Sequence, residues 1–383
     1  MPVSSASSVM PVADDAAVRG IALSVHSVAL HQRFAALALG VLCALTALSP
    51  ATAFAQDAER RTSPAEDTAL RRDANFLLLS MAEDLAVENG ARSLALAARL
   101  RTMALEAEAY AMGREPPFEI VDPKAARWLE QSERLSKDDA VAIALILPLL
   151  RDTDPQCHAD AVRRWRDAEP DNLVPLLMAD LTEDALLAAA RGTFRADGHF
   201  SEILRLVVQT VQRPRNGPVS DILERVVVSA GPGNRDTYAA SLGSAVAGRS
   251  QPSFTALVRY CRDSDDASRL QCRHAAEVLQ GRGDTLLARM VGIGLLRDTA
   301  ADDAQRAQAE AARRRQDWLS ARNAELAARD LGDHSARFVR NLGASPVPNE
   351  IEILESVLLD SGIPLDPPAG WNRETDPARR PQR

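Results

Sequence analysis

Cysteines are the residues of this sequence whose type and spacing most directly suggest chemistry. Cys157, Cys261 and Cys272 follow an N-terminal apolar segment that contains the fourth cysteine, Cys43. In an oxidising compartment cysteines pair, and an odd number leaves one thiol over. Cys261 and Cys272 flank the polar residues 262–266, which predict a turn between two helices. We therefore expect a Cys261–Cys272 disulfide and a buried Cys157 thiol; pairing of Cys157 with either of the others and three free thiols are the alternatives.

Three histidines, His158, His199 and His274, are the candidate polar site residues. His158 follows Cys157, and His274 lies two residues after Cys272, so these segments contain the nitrogen and sulfur ligands that zinc prefers. Residues that are adjacent or two apart point to different sides of a helix, which disfavours chelation of one ion by either pair. The sequence therefore predicts no metal ligand and no other cofactor.

His199 differs from the other two because it lies in a loop that enters a predicted helix, within Ala-Asp-Gly-His-Phe-Ser-Glu. Ser201 is the expected N-terminal cap of that helix. A catalytic histidine at this place needs partners that the sequence does not identify. The chain also contains no Gly-x-Ser-x-Gly, His-Glu-x-x-His or phosphate-binding glycine-rich motif. No residue is therefore predicted to be catalytic.

The elements that must position these residues are helices. Apolar residues recur at helical spacing almost throughout the chain beyond residue 56, and no segment alternates as a half-buried strand does. Apolar residues make up 46% of the chain but aromatic residues only 4%, so the core must be built mainly from aliphatic side chains. The predicted fold class is all-α, an irregular array of antiparallel helix pairs that is either α-solenoid-like or a helical bundle.

Residues 141–150 form the most apolar of the predicted helices. This run is too short to cross a bilayer, which takes about 20 residues, so it predicts a fully buried core helix. Residues 300–331, rich in Ala, Arg and Glu, predict one long helix. Residues 348–359 predict the last helix before the tail.

Composition divides the chain into three parts. Residues 1–55 are expected to form an N-terminal extension and signal peptide. Residues 56–360 form the helical domain, in which the proline-bearing connection near 113–124 marks a candidate division. Residues 361–383 form a proline-rich tail that is expected to be extended, because proline fixes φ and removes an amide donor.

The N-terminal part carries an export signal. His-Gln-Arg at residues 31–33 precedes the apolar run 34–48, and Ala-Phe-Ala ends the segment at Ala55. A basic residue, an apolar run and a small-x-small end are typical of a secretory signal peptide, with cleavage after Ala55. We therefore predict a periplasmic or secreted protein with no stable membrane insertion after cleavage; an uncleaved anchor is the alternative.

Residues 138–191 carry one further pattern. Trp165 precedes Pro170 by five residues, at the junction between two predicted helices. In this respect the stretch resembles a degenerate tetratricopeptide-like helical repeat of the bacterial envelope. The resemblance implies antiparallel helix pairs of about 34 residues that stack on one another, and it implies no catalytic residue.

Charge and pattern together narrow the function. The net charge is −8, with basic residues interleaved among acidic ones, whereas nucleic-acid binding needs a basic face. We therefore expect no nucleic-acid partner. Stacked helix pairs without a site motif are typical of binding proteins, which predicts an exported, non-catalytic scaffold for a protein or peptide partner. The alternative is an all-α cell-envelope hydrolase that uses His199 or an unidentified glutamate.

Overall fold

The computed structural model describes residues 64–114, 122–229, 235–262 and 265–373. Within these ranges the chain forms 16 helices and no strand, which confirms the all-α prediction. None of these helices combines the length and hydropathy needed to span a membrane. The predicted signal peptide and its cleavage site after Ala55 lie outside the described residues.

The first five helices form the N-terminal part of the core. They are α1 (Pro64–Val87), α2 (Ala91–Ala111), α3 (Pro123–Ser136), α4 (Ala140–Thr153) and α5 (Pro155–Ala168). Helix α2 packs against α1 and α3, and α4 packs against α2, α3 and α5. The helices on both sides of the connection near 113–124 therefore lie against each other and share one core.

Eleven further helices complete the described chain. They are α6 (Val174–Met178), α7 (Glu183–Ala190), α8 (Phe200–Gln212), α9 (Pro218–Ser229), α10 (Arg235–Arg249), α11 (Thr255–Arg262), α12 (Asp266–Arg282), α13 (Leu286–Asp298), α14 (Asp303–Arg329), α15 (Leu331–Leu342) and α16 (Glu350–Asp360). Among these, α8 packs mainly on α10, α12 on α13, and α15 on both α10 and α16. A continuous set of buried apolar side chains runs from Leu77 in α1 to Val357 in α16.

Helix α4 lies at the centre of this core. Every side chain from 142 to 147 has no exposed surface, so the prediction of a buried helix at 141–150 is confirmed. The helix begins where the Asp139 side chain accepts a hydrogen bond from the Ala142 amide over 3.1 Å. Residues 140–150 are all apolar, so this part of the helix has no polar face, and its burial removes apolar surface from water.

The long helix predicted at 300–331 is confirmed as α14, and a second helix that the sequence did not predict begins directly after it. Helix α14 ends at Arg329, and the side chain of Asp330 then accepts a hydrogen bond from the Asp333 amide over 2.9 Å. An aspartate in this position starts a helix, because it satisfies an amide that has no partner within the helix. The sequence analysis therefore missed α15, which follows at once.

The disulfide predicted between Cys261 and Cys272 is found in the structure. Cys261 lies in the last turn of α11 and Cys272 in the second turn of α12, with their Cα atoms 5.5 Å apart. This separation lies in the range that a disulfide requires. Cys157, the free thiol among the described cysteines, is half-buried rather than buried as expected.

The described part of the C-terminal tail, residues 361–373, folds back onto α14. The indole Nε1 of Trp318 donates to the carbonyl of Pro364 over 2.8 Å, and Trp371 packs edge-on against the same ring. Gly362 and Gly370 have positive φ values of 70° and 76°, which lets this non-helical segment turn twice. The tail thereby covers the apolar side of α14.

Candidate functional site

Three connecting segments lie side by side near the start of α8. They are residues 171–173, 194–198 and 282–284, and the middle segment forms one isolated bridge with each neighbour. The amide of Asp284, for example, donates to the carbonyl of Ala196 over 3.0 Å. Because the segments hydrogen-bond to one another, their polar main chain can be buried and can hold side chains rigidly.

His199 stands at the start of α8 in a backbone conformation that few side chains adopt. Its φ of 57° and ψ of 31° are left-handed, and its side chain makes no capping hydrogen bond. The carboxylate of Asp284 instead accepts hydrogen bonds from the amides of Gly198 (2.9 Å) and Phe200 (3.1 Å). Ser201 is therefore not the cap that the sequence predicted, and its buried hydroxyl makes no hydrogen bond. A strained residue held this way is typical of functional sites.

Glu169 fixes one side of the His199 ring. Its Oε2 atom lies 3.2 Å from His199 Nε2 and accepts hydrogen bonds from Trp165 Nε1 (2.7 Å) and Asn172 Nδ2 (2.9 Å). The Trp165 and His199 rings stack with their centroids 5.7 Å apart. These contacts fix both the position of the carboxylate and the orientation of the imidazole.

Two further carboxylates face the other side of the ring. His199 Nδ1 lies 3.8 Å from Asp197 Oδ1 and 3.8 Å from Glu202 Oε1. Both distances exceed that of a hydrogen bond, so this nitrogen has no hydrogen-bond partner. The His199 side chain is only 7% exposed, which keeps bulk water from filling the gap freely.

The charges of this pair stabilise each other. Burial alone lowers the pKa of His199, but the hydrogen bond to Glu169 and the neighbouring carboxylates of Glu202 and Asp197 raise it to about 10. Burial raises the pKa of Glu169, yet the contacts with His199 and with Asn172 lower it to about 2. At neutral pH, in the absence of a bound ligand, the two residues therefore form an ion pair.

Arg195 supplies the second positive charge of the site. Its guanidinium lies 3.2 Å from Glu169, 3.2 Å from Asp171 and 3.3 Å from Asp197. With Glu202, the site holds four carboxylates against one guanidinium and one imidazolium. The site is therefore net negative.

Two buried acids border the site, and burial raises the pKa of each. Burial, together with the charge of Asp197, raises the pKa of Asp284 well above its ordinary value, although two amides donate to it. Burial raises the pKa of Glu350 to about 7, against a hydrogen bond from the Leu286 amide of 2.7 Å. The Glu350 amide in turn donates to the Asp284 carbonyl over 3.0 Å, which ties α16 to the site.

A cleft of about 290 Å³ opens beside His199. Its lining comes from the start of α2, the start of α4, the end of α5 and the start of α8, and consists of Arg92, Asp138, Asp139, Ala140, Val141, Glu169, His199 and Glu202. Arg92 Nε donates to Asp139 over 2.8 Å, so its charge is largely balanced. The cleft opens to solvent, and both the buried ring of His199 and the side chain of Glu202 line it.

The structure separates the three candidate histidines. His199 forms the site, while His274 lies in α12 and contacts the carbonyl of Thr193 at 3.0 Å, outside the cleft. His158 lies in α5 and does not line the cleft. Glu169 was not predicted; its only signal in the sequence is its place in a Glu-Pro-Asp-Asn turn after a predicted helix. Asp284 was not predicted either, because it lies 85 residues after His199 in the sequence.

Comparison with known proteins assigns no family to the chain. No family model matches it, and neither the curated proteins nor the solved structures give a match. The tetratricopeptide-like resemblance of residues 138–191 accordingly stays a prediction. The geometry and charge of the site are the basis for a functional assignment.

Proposed function

We propose that the protein is an exported, non-catalytic helical scaffold that binds a protein or peptide partner, and that the cleft beside His199 accepts a basic side chain of this partner. The observation that carries the proposal is the surplus of carboxylates around the cleft. The lining holds the carboxylates of Asp138, Asp139, Glu169 and Glu202 against the guanidinium of Arg92 and the imidazolium of His199. Because Arg92 is paired with Asp139 and His199 with Glu169, Asp138 and Glu202 are the surplus. A lysine or arginine side chain supplies the missing positive charge.

Partial burial strengthens this attraction. Glu202 lies in the first turn of α8 and is about one-third exposed, and contacts with His199 and the charge of Arg92 lower its pKa although burial opposes them. It is therefore ionised at neutral pH. A charge in partly buried surroundings attracts an opposite charge more strongly than one in bulk water, because the effective dielectric constant is lower. The cleft volume suits one long side chain better than a drug-sized molecule.

The hydrolase alternative fits the site less well. A histidine that acts as a catalytic base must be unprotonated at working pH, whereas Glu169, Asp197 and Glu202 keep a proton on His199 in the absence of a bound ligand. In the part of the chain that the structure describes, no serine or cysteine is hydrogen-bonded to this ring, so no activated nucleophile supports the alternative. These observations support binding rather than hydrolysis.

Export is proposed from the N-terminal sequence, and the Cys261–Cys272 disulfide is consistent with it because such bonds persist in oxidising compartments. N-terminal sequencing of the protein recovered from the periplasm or medium should begin at Gln56 or within a few residues of it. Recovery of the uncleaved chain in the membrane fraction would contradict the proposal.

Binding is tested with two labelled peptides, Gly-Arg-Gly-Arg-Gly and Gly-Gln-Gly-Gln-Gly, by fluorescence anisotropy in the presence of EDTA. We expect the arginine peptide to bind at least about tenfold more tightly, a difference of about 1.4 kcal/mol, and to lose affinity as salt is added. The Asp138→Asn, Glu202→Gln double variant should lose at least about tenfold.

The control double variant Glu130→Gln, Asp184→Asn removes the same charge from exposed positions on α3 and α7. It should keep wild-type affinity. Equal affinity for the two peptides, or equal losses in the two double variants, would show that the cleft is not the binding site for a basic group.

A further inference from the structure

The buried nitrogen of His199 points to a ligand of its own. Nδ1 makes no hydrogen bond, although the side chain is more than nine-tenths buried and two carboxylate oxygens face the nitrogen. Buried polar atoms in folded proteins almost always have a partner, and an exception needs a physical reason. Because the surrounding contacts fix the ring, the nitrogen cannot rotate away to find one.

We propose that Asp197, His199 and Glu202 form a binding site for a divalent transition-metal cation, with zinc as the expected ion. Each residue offers one atom, namely Oδ1, Nδ1 and Oε1, and the three atoms lie within 4.8 Å of one another. Zinc binds nitrogen and oxygen at about 2.0–2.2 Å, so two ligand atoms of a tetrahedral site lie roughly 3.3–3.6 Å apart. The two distances of 3.8 Å from Nδ1 need to shorten by only a few tenths of an ångström.

The groups behind these three ligands are already arranged for a metal. Glu169 lies at Nε2 of His199 and accepts a hydrogen bond from Nε2–H, which favours the tautomer whose Nδ1 lone pair faces the two carboxylates. A carboxylate in this place orients a metal-binding histidine and raises its basicity. Arg195 holds the other oxygen of Asp197 at 3.3 Å, which leaves Oδ1 directed at the histidine.

The site also has room for a fourth ligand. His199 and Glu202 both line the cleft, so water can reach the cation from that side. Three protein ligands and one water complete the four-coordinate geometry that zinc prefers. When zinc binds, it replaces the proton on Nδ1, and that proton leaves to solvent.

The ligand set favours zinc over magnesium or calcium. Imidazole nitrogen suits first-row transition cations, whereas magnesium and calcium prefer six or more oxygen ligands. The site offers one nitrogen and two carboxylate oxygens, which is too few oxygens for a hard cation. Zinc is therefore the probe that separates this site from a general acidic patch, which would attract all divalent cations alike.

The metal site shares Glu202 with the proposed partner site, so the two are tested separately, zinc without peptide and peptide without zinc. Purified protein is titrated with zinc against a chromophoric chelator, in a Cys157→Ser background so that the free thiol takes no metal. We expect one zinc per chain and at least about tenfold weaker binding of magnesium. Glu202→Gln should weaken zinc binding at least about tenfold, since even residues behind a ligand alter metal affinity by about 10–100-fold.

The matched control is Glu183→Gln, which removes a carboxylate from the first turn of α7. It should bind zinc as the parent protein does. His199→Asn provides a second test, because asparagine tolerates the left-handed backbone at this position. Circular dichroism reports whether either variant stays folded; should His199→Asn unfold, Glu202→Gln decides alone.

A nitrogen-15 spectrum identifies the ligand atom. We expect zinc to shift the Nδ1 resonance of His199, while Nε2 stays protonated and hydrogen-bonded to Glu169. No bound zinc, equal affinity in Glu202→Gln and Glu183→Gln, or a metal shift at Nε2 would each overturn the proposal. The peptide experiment contains EDTA, so its result stands whether or not zinc binds.

Discussion

Helix α4 and the His199 site meet at the same cleft but are stabilised in opposite ways. The side chains of residues 142–147 in α4 are apolar and entirely buried, whereas the ring of His199 is buried among charged groups. Burial of α4 depends on area and volume, which many apolar side chains can supply. The site depends on individual atoms at set distances, and few substitutions preserve those.

The difference also separates what each region can do. An apolar helix contributes stability in proportion to the surface it removes from water, and it presents no group to a ligand. The polar site keeps a strained backbone and an unpaired nitrogen, features that add no stability on their own. We infer that α4 provides the rigid wall against which the site is held, and the following substitutions test that division.

The largest effect is expected in α4. Ile146→Asp places a carboxylate where the side chain has no exposed surface and no positive partner. Burying such a group without a partner costs more than about 4 kcal/mol, so the cooperative unfolding transition should be lost or lowered by roughly 10 °C. Thermal unfolding followed by circular dichroism measures this.

The control is Leu270→Asp on α12, where the leucine is 74% exposed. It makes the same change of side chain within a helix and should alter stability by less than about 1 kcal/mol. Similar losses for both variants would mean that helix propensity, not burial in α4, determines the effect.

In the polar site, Glu169→Gln should cost about 3 kcal/mol, because it removes the buried charge that holds both His199 and Arg195. Asp171→Asn removes a carboxylate from the same arginine, but this side chain is 47% exposed. Exposed ion pairs contribute less than about 1 kcal/mol, so this variant should remain near wild type. Urea unfolding at pH 7 compares them, and equal losses would refute the special role of Glu169.

Glu350, at the border of the site, makes the free energy of unfolding depend on pH. Its pKa is about 7 in the folded protein against an ordinary 4.5, so between these values the folded state keeps a proton that the unfolded state has lost. Stability due to this group therefore falls as pH rises from about 4.5 to 7 and levels off above, a change of about 3 kcal/mol.

Glu350→Gln keeps the acceptor for the Leu286 amide but removes the titration. The difference in unfolding free energy between wild type and this variant should grow in favour of the variant over that pH window. A constant difference from pH 4.5 to 8 would show that Glu350 has the same pKa in the folded and the unfolded protein. Asp284, the neighbouring buried acid, is present in both proteins and cancels in the comparison.

The two regions also differ in how far the sequence predicts them. The apolar run at 141–150 specifies a buried helix because its residues alone determine hydropathy and period. The pairing of Cys261 with Cys272 followed from short spacing in the same way. Each of these signals lies within a dozen residues of the chain, where local pattern is informative.

The His199 site is built from distant residues. His199 was singled out by its loop, but Glu169 and Asp284 reach it only because three connecting segments hydrogen-bond side by side. The wrong choice of Ser201 as the helix cap has the same cause, since the helix already begins at Phe200, whose amide is bound by the distant carboxylate of Asp284. Helix α15 was missed for a local reason: Asp330 interrupts a run whose composition is helical on both sides.

The smallest effects test how tightly the apolar part is packed, with two glycines of α13. A Cβ atom added at Gly292 would lie 2.7 Å from the Ala276 carbonyl oxygen and 2.9 Å from the Leu279 Cβ of α12. Since one of these neighbours is main chain, it cannot move aside as a flexible side chain would. Overpacking costs about 1–3 kcal/mol and exceeds the gain of up to about 1 kcal/mol from better helix propensity, so Gly292→Ala should be destabilising.

Gly294, two residues further along α13, has no atom within 4 Å of the same added methyl group. Gly294→Ala should therefore stabilise the protein by about 0.5–1 kcal/mol, because alanine loses less backbone freedom on folding. Urea midpoints that move in opposite directions for the two variants would locate close helix contact at Gly292. If both substitutions stabilise the protein, α12 and α13 can separate slightly without a loss of stability. Packing in the apolar part would then tolerate substitutions better than the charged contacts around His199 do.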